Sequence, residues 1–250
     1  MPFTLAHVAA VLPLLHARKT RFSATGLIAG SVAPDFEKFL CMSLHNAHSH
    51  TWASLLYFSC PVGLGLSLLF HLVVRDALLA HVPGWLAVRL RAGPRVAWVP
   101  YLRRHYGVVL LSLLLGAATH LVWDGFTHQK GFLVAYFPAL LTRVRLLAFH
   151  LPVYAILAIV SSVGGVVQVG RSLLRPAGAR PATPGPGSGF PYWTLVLAAA
   201  GLLFAARQLW AAQPPNFWNV SISGVSAFLF GVAVASAIRA LNIRRKIALK

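Results

Sequence analysis

Acidic side chains are almost missing from this sequence. Asp35, Glu37, Asp76 and Asp124 are the only carboxylates in 250 residues, and charged residues of both signs make up 10% of the chain. A soluble domain of this length carries about a quarter charged residues, so that class is excluded. Cysteine is nearly absent too: Cys41 and Cys60 exclude a disulfide framework and a thiolate metal site. Cys60 lies in an apolar run and reads as a small buried residue. The N-terminus, MPFTLAHVAAVLPLLHARKTR, has no basic residue ahead of its apolar stretch. That order excludes a cleaved signal peptide, and the segment is expected to be retained. Lys and Arg number 22, for a net charge of +18. No basic face interleaved with aromatics accompanies them, so nucleic acid is excluded as a partner.

What is there is hydrocarbon. The chain is 58% hydrophobic with a mean hydropathy of +0.71, and the apolar residues are gathered into runs. Five runs reach the length of about 20 residues that a bilayer requires: roughly Trp52 to Val74, Tyr106 to Trp123, Leu146 to Gly170, Tyr192 to Ala212 and Val220 to Leu241. Tyr and Trp mark several of their ends, as an aromatic belt does. The expected architecture is all-α and polytopic: five transmembrane helices plus an N-terminal helical unit packed at the membrane surface.

That unit is residues 1–51, with helix expected over Leu5 to Leu15, a short apolar piece at Ala24 to Val32 closed by Pro34, and a histidine-rich remainder. Residues 52–174 hold three spans. Residues 175–191 form a linker whose Pro and Gly density prevents helix or sheet, and 192–250 hold a helical pair with a basic tail. Pro61, Gly63 and Gly65 are expected to bend the first span, a defect that neighbouring helices absorb.

Basic residues between the spans carry topology. If alternate loops share a side, fourteen Lys and Arg lie with the loop 75–105, the linker and the tail, and eight lie opposite. The bias favours a cytoplasmic C-terminus and an N-terminal unit outside. A further consequence does not depend on it. The N-terminal unit precedes the first span and THLVWDGFTH ends the second, so two crossings bring both polar regions to one side.

In THLVWDGFTH, His120, Asp124 and His128 are spaced by four and would share one helix face. Two imidazoles and a carboxylate suit zinc or another divalent metal, while a His and an Asp one turn apart also form an ordinary polar pair at the interface. In GSVAPDF, Asp35 follows a proline in a tight turn, where it fits either a ligand or the N-cap of FEKFL. HNAHSHTW holds His45, His48 and His50 in six residues; His48 and His50 could reach one ion, or all three could belong to a solvated loop. His7 could point to the same place. The scarcity of carboxylates weighs on the functional side, because ionisable groups in or near a bilayer are costly and tend to be kept for function. Asp76 beside Arg75 reads as a local pair, Glu37 with Lys38 as a solvated surface feature, and His16, His71, His81, His105 and His150 as ordinary residues.

MPFT-x-A-H, GSVAPDFEKFL, the histidine pair before the first span and GAATHLVWDGFTH together resemble a family of bacterial multi-spanning membrane proteins, domain of unknown function 4184. More distantly, the order His, Pro-Asp, His, His-x-x-x-Asp is similar to YdjM-type membrane-bound metal-dependent hydrolases and to zinc-dependent phospholipase C. The resemblance implies His7, Asp35, His50, His120 and Asp124 as metal ligands, with His48 and His128 as additions. The compressed HSHTW departs from the longer histidine motif of those hydrolases.

Three functions follow as expectations. The first is a metal-dependent hydrolase in the bacterial inner membrane, with zinc as cofactor and Asp35 or Asp124 as general base. Its substrate would be a lipid or other phosphoester, with Arg18, Arg143 or Arg145 holding an anionic head group. The second is a non-catalytic transport, scaffold or assembly protein with a structural His/Asp cluster. The third is haem held between His120 and His150.

Overall fold

The computed structural model describes residues 3–16, 21–45, 47–90, 96–146, 149–174, 190–211 and 216–248. The Pro/Gly-rich stretch expected to be a linker lies outside them at 175–189, as do Arg18 and Lys19.

The chain begins with a 3-10 turn, Thr4–His7, that feeds α1 (Val8–His16). Ser23 starts α2 (Ala24–Val32), its hydroxyl accepting from the Gly26 N–H, which satisfies one of the unpaired donors of a first turn. A 3-10 turn at Ala33–Asp35 separates α2 from α3 (Phe36–Cys41). Then comes one continuous helix, Leu55–His81, in which π-helical turns at Leu55–Ser59 and Phe70–Val74 flank α4 (Cys60–Leu69) and lead into α5 (Arg75–His81). The first π turn has a local cause: Pro61 has no N–H to give to the carbonyl of Tyr57, and the hydrogen-bond register slips by one residue ahead of it, with the Cys60 N–H reaching the Leu55 carbonyl. Two short helices follow, α6 (Gly84–Leu90) and α7 (Trp98–Arg104). α8 (Tyr106–Thr127) is 22 residues long, about 33 Å at 1.5 Å per residue. After α9 (Phe132–Tyr136), strands β1 (Arg143–Leu146) and β2 (Phe149–Pro152) make an antiparallel hairpin with Arg145 opposite His150. The chain ends in α10 (Val153–Leu174), α11 (Phe190–Leu209) and α12 (Phe217–Ala248).

Among the described residues, five helices are long and apolar enough to cross a membrane: Leu55–His81, Tyr106–Thr127, Val153–Leu174, Pro191–Leu209 and Phe217–Asn242. The third starts later than the hydropathy suggests, because RVRL and FHLP pair as strands and Pro152, lacking an N–H, precedes the first helical turn. The second runs through Gly125 to Thr127, with His128 as its C-cap in an extended conformation.

The chain divides into two units. The first comprises Met1–Asp35, Ala47–Leu64 and Arg104–Leu174; the second comprises Phe36–Asn46, Gly65–Arg103 and Arg175–Lys250. In the first, α1 and α2 share a small core of Val8, Val11, Leu12 and Leu27, and α2 lies lengthwise and parallel to α8. The Ser23 N–H donates to Ser112 Oγ at 2.8 Å, and eight residues further along both helices His120 Nδ1 meets the Ser31 carbonyl at 2.7 Å. Glycines allow the approach: a Cβ on Gly30 would collide with the Leu113 carbonyl, and one on Gly116 with the Leu27 carbonyl. Gly26 and Gly30 are spaced as in the small-residue motif that brings membrane helices into backbone contact.

In the second unit, α11 packs on α12, with Tyr192 and Ser236 sharing a hydrogen bond of 3.0 Å between Tyr192, Val196 and Ala235 of a common core. α3 and its following turn also belong to this unit, where Ser223 Oγ donates to the Met42 carbonyl and the Leu44 N–H to Asn219 Oδ1. This placement corrects one expectation. Glu37 and Lys38 are buried rather than solvated, at 5% and 3% exposure, because α3 lies against α12. Arg75 and Asp76 do form a local pair, at 3.3 Å.

Candidate metal centre

Each polar side chain of interest in the first unit is delivered by a different local device. The 3-10 turn after Phe3 buries His7 to 2% exposure. The Pro34 turn presents Asp35, 1% exposed, at the end of α2. The turn before the first long helix is closed by Ser54, whose hydroxyl bonds the carbonyls of Ser49 and Thr51, and it carries His50. The last two turns of α8 carry His120, wholly buried, and Asp124, 6% exposed.

These side chains converge on Asp124. Its Oδ2 lies 3.3 Å from His50 Nε2 and 3.5 Å from His120 Nε2, while its Oδ1 lies 3.5 Å from His7 Nε2 and 3.5 Å from His128 Nδ1. Asp35 Oδ1 closes the other side, 3.6 Å from His50 Nε2 and 3.7 Å from His120 Nε2. Asp35, His50, His120 and Asp124 each offer a ligand atom, all within 4.8 Å of one another. This group could hold a metal ion.

Two observations test that fit. His120 Nε2 and both carboxylate oxygens of Asp124 are buried with no hydrogen-bond partner, although burying such atoms unpaired is costly. Charge-assisted hydrogen bonds between imidazole and carboxylate are about 2.7–2.9 Å long, and the imidazole contacts of Asp35 and Asp124, at 3.3–3.7 Å, exceed that. Ligands held at about 2.1 Å around a tetrahedral ion stand about 3.4 Å apart, close to the 3.3–3.7 Å of the four imidazole–carboxylate separations in the group. The donor set, two imidazoles and two carboxylates, is one that divalent first-row metals accept.

The outer contacts favour the same reading. His120 Nδ1–H donates to the Ser31 carbonyl, which fixes the tautomer and leaves Nε2 as a bare donor atom toward the carboxylates. His50 Nδ1 meets Ser49 Oγ at 2.8 Å, which orients the ring with Nε2 toward the carboxylates. Thr4 Oγ1 donates to Asp35 Oδ2 at 2.6 Å and so holds Oδ1 toward the histidines. The His7 ring stacks on His120 with centroids 3.7 Å apart.

Of the residues expected at the site, Asp35, His50, His120 and Asp124 form the group. His7 and His128 approach the other oxygen of Asp124, and His128 also meets the Asp124 backbone carbonyl at 3.1 Å. His48 is exposed, with its own carbonyl accepting from Tyr57, and stands outside the group. His120 has one ring face stacked on His7, its Nδ1 on the Ser31 carbonyl and its Nε2 turned toward Asp124, and His150 is exposed on β2, so the two do not frame a haem site. Thr4, Ser31 and Ser49 are the contributors that sequence reasoning missed. All three lie inside the quoted stretches MPFT-x-A-H, GSVAPDF and HNAHSHTW, but nothing in a serine or threonine announces which partner it will meet.

A family model described as a domain of unknown function (DUF4184) matches residues 1–237, a range that contains the whole group. No curated protein and no solved structure matches the chain.

Proposed function

The chain belongs to the DUF4184 family, and from that premise we propose that it is a membrane-embedded, zinc-dependent hydrolase of phosphoesters at the membrane surface. The observation that carries this reading is the set of buried, unpartnered donor atoms on His120 and Asp124, spaced from His50 and Asp35 as ligands are. The resemblance to YdjM-type hydrolases and zinc-dependent phospholipase C supports the same class by analogy. A zinc ion bound there would supply a water of lowered pKa and polarise a phosphoryl oxygen.

The chain's own residues divide the remaining work. Asp35 and Asp124 are ligands in this reading, and His7 then becomes the proton acceptor, because its Nε2 lies 3.5 Å from the other Asp124 oxygen. Arg143 and Arg145 are exposed on the β-hairpin between α9 and α10, and in this reading they attract an anionic head group. Arg18 lies outside the described residues.

The direct test is metal removal. Purified wild type is expected to carry one zinc per chain and to hydrolyse a generic phosphodiester. Dialysis against a chelator removes both, and zinc restores both. A protein that purifies and refills without metal would refute the reading and favour a non-catalytic role for the cluster. Thr4→Val is a subtler test: loss of the hydroxyl that orients Asp35 should weaken zinc affinity about 10–100-fold, measured by chelator competition, with the helical circular dichroism unchanged.

The proposed orientation is a cytoplasmic C-terminus with the cluster outside. Arg21 supports it. It is exposed just before Ser23, whose contact with Ser112 lies eight residues, about 12 Å, before His120. Arg21, just ahead of α2, therefore lies toward the start of α8, on the arginine-rich side. With Cys41 and Cys60 replaced by serine, an impermeant maleimide should label His48→Cys in intact cells, and Arg103→Cys only after permeabilisation. The reverse pattern would invert the assignment.

A further inference from the structure

One face of the first unit is unfilled. A groove of about 410 Å³ between α1, α8 and α10 is lined by Ala9 and Ala10 of α1, Val160 and Gly164 of α10, Trp123 of α8 and His7. Its volume falls within the range of small-molecule sites. Small side chains make it: a Cβ on Gly164 would meet nothing within 4 Å, while the adjacent Gly165 is closed off by Ala6. Val160 is 61% exposed and Trp123 43%, so the groove is open laterally. Two of its three walls, α8 and α10, are long enough to cross a membrane, and what lies outside such walls is hydrocarbon.

His7 belongs both to the groove and to the cluster. It lines the groove, and its Nε2 stands 3.5 Å from Asp124 Oδ1. Apolar space open to the acyl region is thus lined in part by an imidazole that also meets Asp124 and His120. A water-soluble phosphoester has no use for such a groove. A lipid needs one if its ester is to reach buried donors while its tail stays out of water.

We propose that the α1/α8/α10 groove binds one hydrocarbon chain of a phosphate-bearing membrane lipid, entering sideways from the bilayer and presenting its polar end at His7. The proposal takes the chemistry of that polar end from the hydrolase reading, but occupancy of the groove is measured separately.

The test uses full-length protein in vesicles containing a phosphatidic acid with a photoactivatable diazirine midway along one acyl chain. After irradiation, adducts should concentrate at Ala9, Ala10, Val160 and Gly164, well above Leu202, an exposed apolar residue of α11 that serves as ordinary lipid contact. Gly164→Leu fills open space and is expected to cut groove adducts about tenfold, the lower end of what a few methylenes decide in a hydrophobic pocket; labelling of Leu202 stays constant. Ala10→Leu blocks the groove from the α1 side and should do the same. Equal groove labelling in wild type and both variants overturns the proposal, as does wild-type labelling no stronger than at Leu202. Zinc content is measured on the same samples. Zinc present with an unlabelled groove rejects the groove alone, and a labelled groove without zinc rejects the hydrolase reading alone.

Discussion

In the proposed zinc-dependent hydrolase, replacing Asp124 with asparagine should strip the metal and abolish phosphoester hydrolysis while leaving the helices in place. Four imidazoles stand within 3.3–3.5 Å of its two oxygens, whereas Asp35 stands farther from His50 and His120, at 3.6 and 3.7 Å. The amide keeps the shape and removes the charge. Loss of an outer contact to a metal ligand costs about 10–100-fold in affinity, and loss of a ligand itself should exceed the upper figure. His120→Ala should act as strongly, since it removes a ligand atom and opens a cavity in a wholly buried position. His48→Ala is the control, because His48 is exposed and outside the group. Metal analysis of the three purified variants decides the matter. Zinc retained by Asp124→Asn and His120→Ala, or lost equally from His48→Ala, would contradict the shared site.

The second large effect is expected far from the donor atoms. Gly30→Leu drives a side chain into the Leu113 carbonyl, which belongs to helix backbone and cannot swing aside. Overpacking typically costs about 1–3 kcal/mol, and a backbone obstacle places this case at the upper end. The damage should also reach the site. α2 carries the Ser31 carbonyl that orients His120 and ends at the turn holding Asp35, so prising it from α8 separates Asp35 from His120. Both a lowered melting temperature in detergent and a weakened zinc affinity are therefore expected. Gly107→Leu lies in the same α8 but meets nothing within 4 Å, and should change neither. If Gly30→Leu melts like wild type with zinc intact, close α2–α8 packing is not what assembles the centre.

The comparison of Gly30 with Gly164 shows what a sequence does and does not reveal. Both are glycines in apolar helical surroundings, yet one is filled by a neighbouring backbone and the other faces open space. The same holds for the histidines. His48 and His50 stand two residues apart in one polar stretch, and only His50 turns inward, because Ser54 closes the turn that carries it. Glu37 and Lys38 read as a solvated pair until α12 is known to cover α3. The strands at 143–152 escaped a hydropathy reading because Leu146 and Leu151 merge with the apolar run that follows them.

The sequence by itself determined the all-helical membrane class, the five long apolar helices and the short set of residues able to bind a metal. Those are local properties: run length, hydropathy and the rarity of carboxylates. Counting crossings also brought the two polar regions to one side. The tertiary structure alone decided which residues meet. His120 and Ser31 are 89 positions apart, and their contact depends on glycines that let two backbones touch, a complementarity between distant segments that no periodicity within either one encodes.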